Sequence, residues 1–413
     1  MKHYNMNSVL IKDVRIFTGE EVIESGSVLV KDGVIEYVGS SAPETDLPAM
    51  TMSSSTLIPG LIDAHIHASN GQVLAIEQSF RFGVTTVLDM HNEPKNVASL
   101  KQIAAQRHDV ADFKSACFGA TVDKGWPESI ITMHDQSEET LKKIATWPKL
   151  KNAQDVEPYV LQNIRDGCDY IKLMHESGST LGQSFNLPSV SLQTAVVKTA
   201  HENGLLAVAH ALSLHDTLEA LEAGVDGLTH TFMDHPPTPE LLKAYKRNQA
   251  FCIPTLSTLG SATMEGEALQ HAFAHDPRVE SLIGEKARAN MCRCTAFAVK
   301  TSKIENAYES VRQLKAAGID ILCGSDAAGP ALGTTWGLSI HQDLYLFVKH
   351  CGFTPQEALC AATSVNARKF RLNDRGLIAV GRKADLVLLD GNPLENIGDT
   401  LNLRSVWRDG YKL

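Results

Sequence analysis

The chain has 413 residues, 43% of them hydrophobic and 21% charged, which describes a globular protein large enough for one big domain or two ordinary ones. A net charge of −10 argues against nucleic acid and acidic membrane surfaces as partners, because both select basic faces. No stretch reaches the roughly 18 uninterrupted apolar residues that a membrane span needs, and eight scattered cysteines, with only Cys292 and Cys294 close together, do not look like a disulfide framework or a structural zinc knuckle.

The N-terminal stretch MKHYNMNSVLIKDVRIF is interrupted by Lys12, Asp13 and Arg15 and has no apolar core of signal-peptide length, so a reducing, cytoplasmic setting is expected. The segments VLIKDVRIF, SVLV (27–30) and VIEYV (34–38) are short, β-branched and separated by turns such as Lys31-Asp32-Gly33. Leu377-Ile378, Ala384–Leu389 and Ser405-Val406-Trp407 repeat that character near the C-terminus. Residues 1–58 and 375–413 are therefore expected to build one small discontinuous β domain, a sandwich formed by both ends of the chain.

Residues 59–374 alternate strand and helix signals. Strands are expected at Leu61–Ile66, Val84–Met90, Phe113–Phe118, Tyr170–Met174, Leu205–Ala209, Gly227–Thr229, Phe251–Pro254 and Ile319–Cys323. Helices fall between most of them, and several stop at a glycine just before the next strand: Gly83, Gly167, Gly204, Gly224 and Gly318. This is the pattern of an α/β chain folded as a (β/α)8 TIM barrel; a doubly wound sheet is the alternative, but no Gly-x-Gly-x-x-Gly turn follows an early strand. Residues 119–150 and 255–300 exceed what the barrel needs. Following strands, they belong on the catalytic face as walls or lids.

The chemistry concentrates at strand ends. The first strand delivers His65 and His67, whose one-residue spacing puts both imidazoles on one face of an extended strand. Lys172 sits inside the apolar run Tyr170–Met174, where a charged amine is expensive to bury. A lysine that loses its proton there can react with carbon dioxide to give a carbamate, a carboxylate-like group able to bridge two metal ions. His210 ends the fifth strand, His230 the sixth, and Asp326 follows the eighth. Each alone has an ordinary structural explanation. Five strand ends carrying His-x-His, Lys, His, His and Asp in barrel order make chance placement the poorer one.

The runs LIPGLIDAHIHAS, YIKLMHESG, LLAVAHALS, GLTHTF and CGSDAAGP, with TPQEALCAATSVNA and GRKADLVLLDGNPLENI behind them, resemble the amidohydrolase superfamily of metal-dependent hydrolases over essentially the whole chain. The flavour is that of the imidazolonepropionase-like, metallo-carboxypeptidase and ochratoxinase-like subgroup. The resemblance implies that His65, His67 and Asp326 bind the more buried metal, that His210 and His230 bind a second, and that Lys172, as N6-carboxylysine, bridges the two with a hydroxide. Two Zn²⁺ ions suit the nitrogen and oxygen ligands, with Mn²⁺ or Co²⁺ as alternatives.

Asp326 would also serve as general base, for hydrolysis of an amide, peptide-like or lactam C–N bond of a small molecule. Deamination, a lactonase or esterase activity, and a catalytically dead scaffold are the other readings. The resemblance implies a homo-oligomer. His91, His175 and Glu176 depart from the subgroup where its members touch substrate and are expected to line the pocket, with a loop-capping role as the other reading of His175. Trp126 stands as an aromatic wall or as packing, and no arginine stands out as a carboxylate clamp.

Overall fold

The computed structural model describes residues 7–329 and 331–413; the start of the N-terminal stretch and Pro330 of the CGSDAAGP run lie outside the described residues. Eight strands from both ends of the chain make one sheet. Val9–Phe17 lies at its centre, paired antiparallel to Val22–Lys31 and parallel to Ser55–Pro59. Ser55–Pro59 pairs antiparallel with Leu386–Asp390, which carries Leu403–Arg408 on its other side. The sheet is hydrogen-bonded without a break from one side to the other. It curls over a single core that includes Ile11, Ile16, Val28, Leu57, Leu386 and Trp407, so the two faces of the sandwich are two ends of one sheet.

The centre of the chain is a parallel barrel in two arcs of four strands. One arc runs Ala327–Ala328, Leu61–His67, Val84–Asp89, Asp112–Ser115; the other runs Ile171–Met174, Ala207–His210, Gly227–Thr229, Phe251–Ile253. Backbone hydrogen bonds join the arcs at both seams. Ala120 N–H donates to the Lys172 carbonyl at 2.7 Å, and on the far side Leu322 N–H donates to Cys252 at 2.8 Å and Asp326 N–H to His65 at 2.7 Å. Helices such as Leu74–Arg81, Val156–Arg165, Val190–Glu202, Leu214–Glu222 and Ile304–Ala316 cover the outside. No helix among the described residues is long and apolar enough to cross a membrane.

Two departures from the sequence reading have physical causes. The expected eighth strand at 319–323 is reduced to a single bridge, Ile321 to Cys252, and ladder pairing resumes only at Ala327–Ala328. In between, Gly324 passes so close to the first strand that an added Cβ would meet the His65 nitrogen at 2.8 Å and the Ile253 side chain at 2.6 Å. The chain there is pinned by close approach rather than by regular pairing. The second departure is the helix Pro94–Gln106, whose weakly amphipathic sequence carried no clear signal; proline at its first position starts it.

The curled sheet is fastened beneath the barrel by two buried arginines. Arg408 donates to the carbonyls of Ala104, Arg107 and Val110, around the end of helix Pro94–Gln106. Arg375 Nη1 donates to Asp112 at 2.6 Å and Thr86 at 2.8 Å, while its other nitrogens hold Asp374. Although burial alone pushes the Asp112 carboxyl up, the charges of Arg375, Lys114 and Arg408 hold it far below the usual carboxylate range. Removing one partner of a buried ion pair leaves the other uncompensated, so Arg375→Ala is expected to lose about 3–5 kcal/mol in urea unfolding. Arg375→Lys should recover only part of this, because an ammonium cannot reproduce the fork.

Candidate metal centre

The first strand places Asp63, His65 and His67 at period-two positions. His65 Nε2, His67 Nε2 and Asp326 Oδ1 lie 3.2 Å from one another in all three pairings. Nitrogen and oxygen ligands at about 2.0–2.2 Å from one cation stand roughly 3.2–3.5 Å apart. The three atoms therefore already have the spacing of a coordination shell. Asp326 and His230 both adopt left-handed backbone, with φ of 55° and 74°. Side-chain placement at these two strand ends is thus held against backbone preference, a cost found where function fixes geometry.

The remaining strand ends close in on this trio. The His230 ring lies 4.9 Å from that of His65 and 4.6 Å from that of His210. His230 Nδ1 is taken by the Thr255 hydroxyl at 2.7 Å, which leaves Nε2 for the site. Lys172 is 1% exposed and its amine donates to the Thr229 hydroxyl, which in turn donates to the Ala209 carbonyl. Burial lowers the Lys172 amine to about 7 against a small opposing pull from Asp326. Burial, reinforced by the charge of Lys172, also holds His65 and His210 well below their usual range; His230 follows through burial and its neighbour His210. All three imidazoles are therefore neutral, the form that ligates metals.

Asp326 moves the other way. Burial pushes its carboxyl up, but the His67 hydrogen bond, with the neighbouring His230 and Lys172, outweighs that and leaves it ionised. Neutral imidazoles, an ionised carboxylate and a readily deprotonated amine make a donor set that fits hard-to-borderline divalent metals.

A layer of buried carboxylates aims these groups. Asp63 accepts from His65 N–H at 3.2 Å, Ser325 N–H at 2.9 Å and the Ser325 hydroxyl at 2.6 Å, tying the first strand to the residue before Asp326. Asp89 accepts from Ala68 N–H and the Ser115 hydroxyl. Asp343 accepts from Ser257 N–H and its hydroxyl, and that hydroxyl also reaches the Ser325 carbonyl. None of these three stood out in the sequence, although Asp63 shares the strand face of His65 and His67 and was findable by period.

The two expected pocket histidines part ways. His91 Nδ1 accepts from Gly119 N–H at 3.0 Å, its ring meets Trp147 edge-on at 4.8 Å, and its buried Nε2 has no hydrogen-bond partner. Burial, followed by the charges of His67, Lys143 and Lys172, lowers it to about 3, so Nε2 carries a proton with nothing in the chain to receive it. His175 does not point to the site. Strand alternation turns it outward, where Glu219 takes Nε2 at 2.9 Å and Gln193 takes Nδ1. The next residue, Glu176, faces inward instead, with Oε2 3.3 Å from His210 Nε2 and held by Gly178 and Leu212 N–H groups. Trp126 stacks on His210 at 4.7 Å and packs toward Phe185, so it forms part of the wall over that ligand.

Residues 56–411 match the family model described as the amidohydrolase family. The chain belongs to the amidohydrolase family. Among curated relatives, an imidazolonepropionase of Mycolicibacterium smegmatis is 24% identical over 94% of this chain and 90% of its own length. One from Cutibacterium acnes is 30% identical over 93% of this chain and 89% of its own length. Among solved structures, a Xaa-Pro dipeptidase with bound methionine superposes with a TM-score of 0.77 at 20% identity, over 98% of this chain and 99% of that one. Phenylurea hydrolase B does so at 0.75 and 19%, over 98% and 96%. The barrel with an appended β domain is shared with these structures, and this amidohydrolase is an enzyme of the metal-dependent hydrolase class.

Burial pushes the Asp343 carboxyl up to about 8 from an ordinary 3.8, against the two Ser257 hydrogen bonds. An acid whose folded pKa is raised lends stability at low pH and withdraws it as pH climbs from its unfolded to its folded value. Asp343→Asn removes that titration. In urea unfolding the variant should therefore gain on the wild type between about pH 5 and about pH 8.

Proposed function

We propose that this amidohydrolase is a binuclear metal-dependent enzyme that hydrolyses an amide, peptide-like or lactam C–N bond of a small molecule. The observation that carries the proposal is the convergence of His65, His67, His210, His230 and ionised Asp326 around one buried lysine. His65, His67 and Asp326 would hold one divalent ion, and His210 and His230 a second. A neutral Lys172 amine can attack carbon dioxide, forming an N–C bond and releasing one proton, and the resulting carbamate would span both ions. Zn²⁺ fits the donors, as do Mn²⁺ and Co²⁺. Ions held there would supply Lewis acidity at the scissile carbonyl and a water acidic enough to attack near neutral pH.

The chain's own residues account for the rest of the reaction. Asp326 meets His65 and His67 through Oδ1, and neither contact uses Oδ2. Oδ2 would take a proton from the attacking water and pass it to the departing nitrogen, which converts a poor leaving group into a neutral amine. Trp126 and Phe185 exclude water on the His210 side and offer a flat apolar surface. The unpaired Nε2–H of His91 is buried and would donate to a substrate oxygen only after its ring turns toward the site. This suits a compact, mostly neutral substrate. Among similar proteins, the names imidazolonepropionase, Xaa-Pro dipeptidase and phenylurea hydrolase all denote nitrogen-bearing substrates of that size.

Metal analysis of the purified protein should give at least about two ions per chain. Asp326→Asn should cut kcat by about 10³-fold or more while most of the metal stays bound, since an amide still offers an oxygen but cannot carry the proton. Unchanged turnover in that variant would sink the base assignment. Lys172→Ala should lose metal and activity together and recover both in part with added formate or acetate, a carboxylate replacing the carbamate. A substrate screen across N-acyl amino acids, dipeptides, lactams and lactones then fixes the bond; release of ammonia rather than an amine would point to deamination.

A further inference from the structure

Residues 255–300, the excursion after the seventh barrel strand, fold into short helices that carry a second group of metal-competent side chains. We propose that His271, His275 and Cys292 form a separate transition-metal site that takes one thiolate- and imidazole-loving ion of the Zn²⁺ type. His271 and His275 are one turn apart on and just beyond helix Glu267–Ala274 and share a face, with their rings stacked at 5.9 Å and 11°. Cys292 caps the neighbouring helix Glu285–Met291. One ligand atom from each of the three lies within 4.8 Å of the others, and the Cys292 sulfur is 3.8 Å from His275 Nδ1.

That sulfur–nitrogen separation is close to what coordination demands. With Zn–S at about 2.3 Å and Zn–N at about 2.0–2.1 Å, a tetrahedral angle sets the two ligand atoms about 3.6 Å apart. His275 Nδ1 donates to the His271 carbonyl at 3.0 Å, so an ion bound at Nδ1 replaces that hydrogen bond and the ring proton moves to Nε2. The thiol gives up its proton as the metal–sulfur bond forms, so binding releases one proton and strengthens with pH. Both imidazoles are exposed and leave an open path for the ion and a fourth position for water.

The pairing of a thiolate with two imidazoles separates this site from the barrel centre, whose ligands contain no sulfur. It selects borderline and soft ions over Mg²⁺ and Ca²⁺. An ion there would cross-link positions 17 residues apart in sequence and close a loop over the apolar cluster of Ala274, Val279, Ile283 and Met291. That cluster seats the excursion on Phe82 and Leu338 of the barrel's helical layer. The ion would therefore staple the excursion onto the barrel's helical layer and the adjoining β domain without touching the reaction.

The test uses Co²⁺ added to purified enzyme loaded with Mn²⁺, a harder ion that does not hold a thiolate site against Co²⁺. A cobalt–thiolate bond gives a near-ultraviolet charge-transfer band that the sulfur-free barrel centre cannot produce. The band should saturate at about one equivalent per chain, disappear in Cys292→Ser, and require about tenfold or more Co²⁺ in His271→Ala. Added Zn²⁺ should abolish it. His271 is exposed, and a thermal melt of the His271→Ala protein without added metal, matching the wild type, certifies its fold. No band in the wild type, or a band that survives unchanged in Cys292→Ser, would overturn the site. Neither result bears on the two-metal centre, which is read by metal content and turnover before any cobalt is added.

Discussion

An amine buried among imidazoles is the constraint around which the rest of the molecule is arranged. Lys172 stands in a barrel strand with almost no solvent, so its positive charge is costly there, and the same charge discourages protonation of His65, His210 and His230. Both effects favour a neutral, electron-rich cluster. Asp326 is kept ionised by the groups it would otherwise compete with for protons. A site so composed is unsatisfied as a protein and satisfied as a ligand. Its polar atoms find few partners within the chain because their lone pairs point at one another.

Keeping such a cluster in register takes structure that contributes no ligands. Asp63, Asp89 and Asp343 lie in the layer behind it and convert strand ends, which ordinarily fray into loops, into fixed platforms by collecting backbone N–H groups. Burial pushes all three up, to about 7, 6 and 8, so the chain bears a standing cost to hold the site. The left-handed backbone at His230 and Asp326 belongs to the same account.

Much of this was legible in the sequence because barrel physics writes itself in periods. Apolar strands followed by glycine-stopped helices gave the alternation, and polar residues at apolar strand ends gave the cluster. What could not be read was set by contacts between distant segments. The eighth strand lost its ladder to the close approach at Gly324, which depends on Ile253 and His65 and leaves no local mark. At 175–176 the period was available but the last paired residue was not: His175 fell outside and Glu176 inside because the strand continues its alternation one step past Met174. The carboxylates behind the ligands are single aspartates, indistinguishable by composition from helix caps. His91 is different again, since only three dimensions show that its second nitrogen is left without a partner.

The sheet built from both ends of the chain has a consequence for how the protein comes into being. Ser55 and Asp390, hydrogen-bonded in the finished sheet, are 335 residues apart. At a synthesis rate of about 5–20 residues per second, strand Ser55–Pro59 waits tens of seconds for the strand that covers its edge. During that interval an apolar, fully formed β edge has no native partner and the barrel strands behind it are emerging. An uncovered edge of this kind invites pairing with other chains. The late arrival of Leu386–Asp390 and of the buried arginines that fasten the sheet is therefore what covers that edge. Until it occurs, the nascent chain depends on whatever keeps neighbouring chains apart.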